Sequence, residues 1–242
     1  KHFYLFHVCR ELKKEFPDLL SYTRFVERIP RVTIPLLLFL KLGLMGACTG
    51  ITFIDSTRIP VCENKRQSRN RVFKGYAQKG KSTMGWYYGF KLHLLCNERG
   101  ELLNFALTRA NVDDRNPKVF NDLTKDLFGK LYADKGYISQ SLFASLFDRG
   151  VHIVTGIRTN MKNRLMDVHD KIMLRKRSII ETINDMLKNV AQIVHTRHRS
   201  ISNFIVNLLA GIAAYAFYDT KPSINMEFER EEKQGVKQLT LF

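Results

Sequence analysis

The chain has 242 residues and carries 39 Lys and Arg against 23 Asp and Glu, a formal net charge of +16. That length can bury a full core as one large domain or as one domain with an appendage. A hydrophobic fraction of 45% with 26% charged residues is ordinary for a soluble globular protein. The charge excess predicts a polyanionic partner, with nucleic acid ahead of an anionic membrane surface. Cys9, Cys48, Cys62 and Cys96 are widely spaced and form no CxxC pair, which excludes a disulfide framework or zinc knuckle and fits reduced thiols in the cytoplasm. The chain opens at Lys1 with no signal peptide, and it reads as a fragment missing upstream sequence.

In chain order, residues 1–48 read as a helical segment, the remnant of a DNA-binding region. Leu5, Val8, Leu12 and Phe16 recur at helical spacing, Pro17 breaks the pattern, and a second apolar stretch follows Pro35. The apolar run 32–54 has Lys41 at its centre and Gly43, Gly46 and Gly50 as interruptions. It predicts a buried helix running into a strand, not a membrane span. Residues 50–55 form a short buried strand. Residues 58–84 are polar and basic, with Arg58, Lys65, Arg66, Arg69, Arg71, Lys74, Lys79 and Lys81 against Glu63 alone.

Residues 86–97 and 101–109 predict a hairpin that turns at Asn97-Glu98-Arg99-Gly100. A helix over 116–128 has Pro117 in its first turn. A strand (130–134), a helix (139–149) and a strand (151–156) follow. A second basic region, 158–174, leads into a helix over 175–194 and an apolar helix over 201–218. The tail from 221 reads as disordered. The order predicts one α/β domain over 49–220 with a mixed sheet of about five strands flanked by helices.

Three acids stand out by placement. Asp55 ends the apolar run Gly50-Ile51-Thr52-Phe53-Ile54, and Asp134 follows the strand-like Leu131-Tyr132-Ala133. In open α/β sheets, sites form where strands end. Glu181 lies in a helical pattern with Arg177 four residues before it and Lys188 seven after, both within about 40° of its face. Two strand-end Asp residues and a helical Glu can hold a pair of divalent ions, a tool for cutting and joining phosphodiesters.

These residues resemble the DDE transposases of bacterial insertion sequences, over roughly residues 50–218. Phe53-Ile54-Asp55-Ser56-Thr57 looks like that family's first-Asp strand, and Asp134-Lys135-Gly136-Tyr137 like its second-Asp motif. Arg177-x3-Glu181-x6-Lys188 matches the Arg, Glu and Lys of its Tyr-Arg-Glu-Lys signature, with Leu174 where the Tyr is expected. The resemblance implies a ribonuclease-H-like core. It also implies that Asp55 bridges two Mg²⁺ ions (Mn²⁺ as substitute), with Asp134 and Glu181 each completing one side. The implied activity is metal-dependent strand cleavage at element ends and transfer into target DNA. The implied partners are double-stranded DNA and a second copy of the chain, in the bacterial cytoplasm with the nucleoid.

Other signals compete with this reading. Gly75-Tyr76-Ala77-Gln78-Lys79-Gly80-Lys81-Ser82 matches the phosphate-binding P-loop letter for letter. That pattern needs a buried strand before it and a helix after it, and neither is expected here. A flexible loop gripping DNA phosphates through Lys79 and Lys81 is preferred to an ATPase site, with Arg58, Lys65, Arg66, Arg69 and Arg71 as further phosphate contacts. Asp113 and Asp114 fit a helix-entry turn, although they could approach the metals. His195 and His198 fit DNA contact or surface exposure better than metal ligation. Trp86, Tyr87, Tyr88 and Phe90 could stack bases, but strand alternation makes most of them core. Arg158, Lys162, Arg164, Lys171, Arg175 and Lys176 form a second DNA-facing stretch. Gln238-Leu239-Thr240-Leu241-Phe242 looks like the pentapeptide that docks on the replicative sliding clamp, with Gln238, Leu239, Leu241 and Phe242 as contacts. A non-catalytic DNA-binding protein is the remaining alternative. It predicts the basic stretches without convergent carboxylates.

Overall fold

Period-two burial carries the first strand well past Asp55. In the computed structural model, which describes residues 1–156, 165–194 and 198–224, β1 spans Ile51–Cys62. Thr57, Ile59 and Val61 are buried between the more open Ser56, Arg58 and Pro60. Asp55 therefore sits inside a strand rather than at its end. Polar Ser56 and Arg58 and the ladder-breaking Pro60 disguise the continuation, and the register shifts between Pro60 and Cys62.

The basic stretch contains a second strand, β2 (Gln78–Ser82). Only Gly80 of it is buried, packed so closely on the Ala110 backbone that a Cβ would collide. With no apolar residue to mark it, β2 has no hydrophobic pattern in the sequence. The expected hairpin is β3 (Gly85–Asn97) and β4 (Leu102–Arg109), and the parallel pair is β5 (Gly129–Ala133) and β6 (Val151–Thr155). β3 runs antiparallel between β1 on one edge and β4 plus β2 on the other, while β5 and β6 add in parallel beyond β1. The result is a mixed six-stranded sheet flanked by helices, one strand more than counted from the sequence, in the expected α/β class.

The helices follow the apolar periodicity in part. In the N-terminal segment, α1 (Tyr22–Arg28) and α2 (Thr33–Phe39) lead to a wide turn over Leu40–Leu44. Leu40 is fully buried in the main core, yet Ile34, Leu38 and Leu42 remain exposed. The buried helix expected there is thus short, broken and only partly covered. Beyond β4, α3 (Pro117–Leu123) is capped by Asn116, whose side chain accepts from the Lys118 and Val119 amides. With α4 (Gln140–Phe147) it covers one sheet face, closing Phe120, Tyr137, Leu142 and Leu146 over Ile54, Leu95 and Leu131.

The opposite face carries α5 (Val168–Lys176), α6 (Ser178–Asp185) and α7 (Ile201–Ala216). Ile180, Ile183, Leu187, Phe204, Ile212 and Tyr215 bury this side against Phe53, Leu92, Leu94 and Tyr132. The single helix expected over 175–194 is divided. Arg177 forms the junction between α5 and α6, and a wide turn over Met186–Val190 ends the second piece.

Candidate active site

Strand register brings the two aspartates level. β1 and β5 are parallel and their last paired residues are Phe53 and Tyr132, whose rings stack 5.5 Å apart on the α6 side. Asp55 and Asp134 each lie two residues further on, on neighbouring strands roughly 4.8 Å apart. Asp134 directly follows the last residue of β5, and its Oδ1 accepts the Lys135 amide at 2.7 Å. Asp55 is still within β1, paired with Leu94 of β3, and faces the α5–α6 junction.

From that junction, Arg177 reaches both remaining acids. Its Nη1 is 4.0 Å from Asp55 Oδ1, and its Nη2 donates to Glu181 Oε1 at 3.0 Å. Asp55 also accepts from Asn184 Nδ2 at Oδ2, 3.0 Å away. Burial pushes the Asp55 carboxyl up to about 6; Arg177 and the Ser56 amide pull it back, and the charges of Glu181 and Asp134 raise it further. All three acids therefore share one electrostatic neighbourhood.

Asn184 was not among the residues singled out from sequence. On a helix, positions 177, 181, 184 and 188 fall within about 60° of one another, so its phase marked it in principle. Its Oδ1 is buried and has no hydrogen-bond partner among the described residues. Lys188 is half-buried beside the same site, its ammonium held below the usual range by burial and by Arg58, with Asp55 and Asp185 opposing. Lys188 thus feels both Asp55 and Arg58.

Residues 45–201 match the family model described as Transposase DDE domain. The chain belongs to that family. Solved structures similar to this DDE-domain chain include a piggyBac transposase synaptic complex with hairpin DNA and the Mos1 strand transfer complex. The first has a TM-score of 0.46 and 12% identity, covering 71% of this chain and 47% of the other. The second has a TM-score of 0.31 and 10% identity, covering 86% and 67%. This chain thus spans about half the length of the piggyBac chain. Among curated proteins there is no match.

The donor chemistry of the DDE-domain site suits a divalent cation held by oxygens. It offers the carboxylates of Asp55 and Glu181 on either side of Arg177 and an Asn carbonyl oxygen that is buried without a donor among the described residues. Among the described residues, no three His, Cys, Asp or Glu side chains are gathered tightly enough to hold a metal. Arg177 lies between Asp55 and Glu181 as their countercharge, and Asp134 is turned to its own following amide. Leu174, at the signature's Tyr position, packs against the main core. A different tyrosine approaches the acids: Tyr137 is buried beside Ser56, and burial with Asp114, Asp55 and Asp134 pushes its phenol well up.

The other sequence candidates spread over the surface. Lys65, Arg66 and Arg69 are exposed on a 3₁₀ helix over Asn64–Arg69, and Arg71 is exposed just after it. Gly75 has φ +83°, but the segment after it becomes β2 rather than a helix. The P-loop geometry is therefore absent there. The flexible loop expected around Lys79 and Lys81 is instead a strand in a ribbon with β3, and both ammonium groups lie over the Trp86 ring, 5.0 and 6.0 Å from its centroid. Trp86 is 54% exposed whereas Tyr87, Tyr88 and Phe90 are buried.

That ribbon walls a trough of about 570 Å³ lined also by Lys91, Asp113, Asp114, Arg115 and Gly136. Asp113 pairs with Arg115, and Asp114 lies 3.0 Å from Lys91 Nζ and 3.8 Å from His93 Nδ1. These two acids are therefore engaged with local cations. Lys171, Arg175 and Lys176 are exposed on α5. Arg158, Lys162, Arg164, His195 and the pentapeptide residues Gln238, Leu239, Leu241 and Phe242 lie outside the described residues. No helix among the described residues is long and apolar enough to cross a membrane.

Proposed function

We propose that residues 49–220 form the catalytic core of a transposase that cuts DNA at insertion-sequence ends and joins the freed ends to target DNA. What supports this reading is that Arg177 contacts both Asp55 and Glu181, and that Asp134 lies level with Asp55 on the neighbouring strand, in a chain of the transposase DDE family. Asp55, Asp134 and Glu181 would hold two Mg²⁺ or Mn²⁺ ions. When bound, such ions activate water or a DNA 3′-hydroxyl and stabilise the leaving oxygen.

The protein's own groups bind and orient the substrate. Arg177, Lys188 and Arg58 would neutralise backbone phosphates beside the acids. Lys65, Arg66, Arg69, Arg71, Lys79 and Lys81 extend this basic track along the duplex, and exposed Trp86 offers a stacking face between the two lysines of β2.

The decisive test uses the purified full chain with duplex DNA carrying the element ends in Mg²⁺ or Mn²⁺. Asp55→Ala, Asp134→Ala and Glu181→Ala should each abolish cleavage while retaining DNA binding. Undiminished cleavage by Asp55→Ala overturns the assignment.

Two partner readings accompany the function. Paired DNA ends call for two copies of the chain, which sizing of the DNA complex by mass photometry would register as a dimer; a monomeric complex refutes it. The apolar pentapeptide 238–242 fits a hydrophobic groove on the replicative clamp. A labelled 233–242 peptide should bind the clamp by fluorescence anisotropy, and no binding removes that partner. The work would be done in the bacterial cytoplasm, on nucleoid DNA.

A further inference from the structure

We infer that Asn184 is a metal-site residue of this centre, with its two amide ends divided between two tasks. The inference rests on the reading of Asp55 and Glu181 as metal ligands. Asn184 Nδ2 donates to Asp55 Oδ2 at 3.0 Å and orients that carboxylate. Asn184 Oδ1 supplies a neutral oxygen to the cation that the acids gather.

The geometry supports each half separately. A carboxylate accepts hydrogen bonds and cannot donate when ionised, so the amide nitrogen must be the end that faces Asp55. That leaves the carbonyl end pointing elsewhere. It is buried, and no donor among the described residues reaches it. A buried acceptor left without a partner is costly and rare in native proteins, and a hard cation is the kind of partner an amide oxygen takes. Asn184 also stands at the border of α6. About 40° to one side lies Ile180, fully buried in the core, and about 60° to the other lies exposed Glu181. An Asn placed only for solubility would sit on the outer face, and one placed only for packing would be replaced by an apolar residue like its neighbours Ile180, Ile183 and Leu187.

A purely structural Asn gives a different experimental outcome. Mn²⁺ alone is the probe, titrated into the full chain without DNA and followed by the electron paramagnetic resonance signal of free Mn²⁺. Asn184→Leu, with the same branched outline but without either amide end, should weaken Mn²⁺ binding about ten- to a hundredfold. Asn184→Asp keeps an oxygen at the Oδ1 position and adds charge, so it should bind Mn²⁺ at least as tightly as the unaltered chain. Its thermal midpoint should also rise more on adding saturating Mn²⁺ than the unaltered chain's does, because the ion relieves two adjacent carboxylates.

Asp55→Ala separates the two levels of the argument. If Asp55→Ala binds Mn²⁺ normally, the metal-site reading itself fails. If Asp55→Ala loses Mn²⁺ while Asn184→Leu retains it, only the role of Asn184 is overturned. Should Asn184→Leu not fold, Asn184→Asp decides alone: a Mn²⁺-induced rise no larger than that of the unaltered chain overturns the inference.

Discussion

At the residue scale, ionisation inside the fold has opposite signs at two positions. His93 is 1% exposed, with Nε2 2.9 Å from Thr108 Oγ1 and Nδ1 3.8 Å from Asp114. Burial, helped by Lys91 and opposed by Asp114, holds its imidazole below the usual 6.5. A depressed histidine favours the fold above its unfolded value and loses that contribution as pH falls through its folded value. Urea denaturation should therefore show the native chain losing more stability between pH 7 and pH 5 than His93→Gln.

Asp55 runs the other way. Its carboxyl is raised from 3.8 to about 6, so its favourable contribution is complete below 3.8 and is lost as pH rises through 6. Without divalent ions at pH 8, Asp55→Asn should be more stable than the native chain by about 2 kcal/mol. At pH 3.5 that advantage should vanish. Under the proposed function, stability held back at Asp55 is the trade that an active site makes.

At the element scale, α6 and the β2–β3 ribbon place the site's charges by different means. α6 is held by Ile179, Ile180 and Ile183, all buried. Ile183→Ala should cost about 2–4 kcal/mol in chemical denaturation. It should also reduce cleavage through the shared helix, since Arg177, Glu181 and Asn184 all ride on that seating. The ribbon instead carries exposed cations over an exposed ring. Replacing Lys79 and Lys81 by Ala should weaken binding of any duplex sequence and flatten the slope of log affinity against log salt by about 2.

Legibility from sequence also divides by element. The hairpin, β5, β6 and α7 announced themselves through uninterrupted periodicity, and each formed where expected within a residue or two of its ends. β2 was invisible because its only buried residue is a glycine. The second half of β1 was obscured by Arg58 and Pro60, although its odd-numbered residues continue the burial pattern. The break at Arg177 had no signal of its own, because Arg, Lys and Ser there are all compatible with a continuous helix.

At the scale of the whole molecule, the +16 charge makes any DNA affinity strongly dependent on salt. The tests above therefore need a fixed ionic strength. That charge, the mixed α/β order and the placement of Asp55, Asp134 and Glu181 as candidates are displayed directly by a linear chain through its composition, its periodicity and its resemblance to the DDE transposases. Which groups meet was decided only by the tertiary structure. The parallel register of Phe53 with Tyr132 levels the two aspartates, and the α5–α6 junction swings Arg177 between Asp55 and Glu181. The same packing brings Asn184 against a strand residue 129 positions away. Contacts of that span arise when distant apolar faces are buried together, and helical or strand periodicity carries no information about which faces those are.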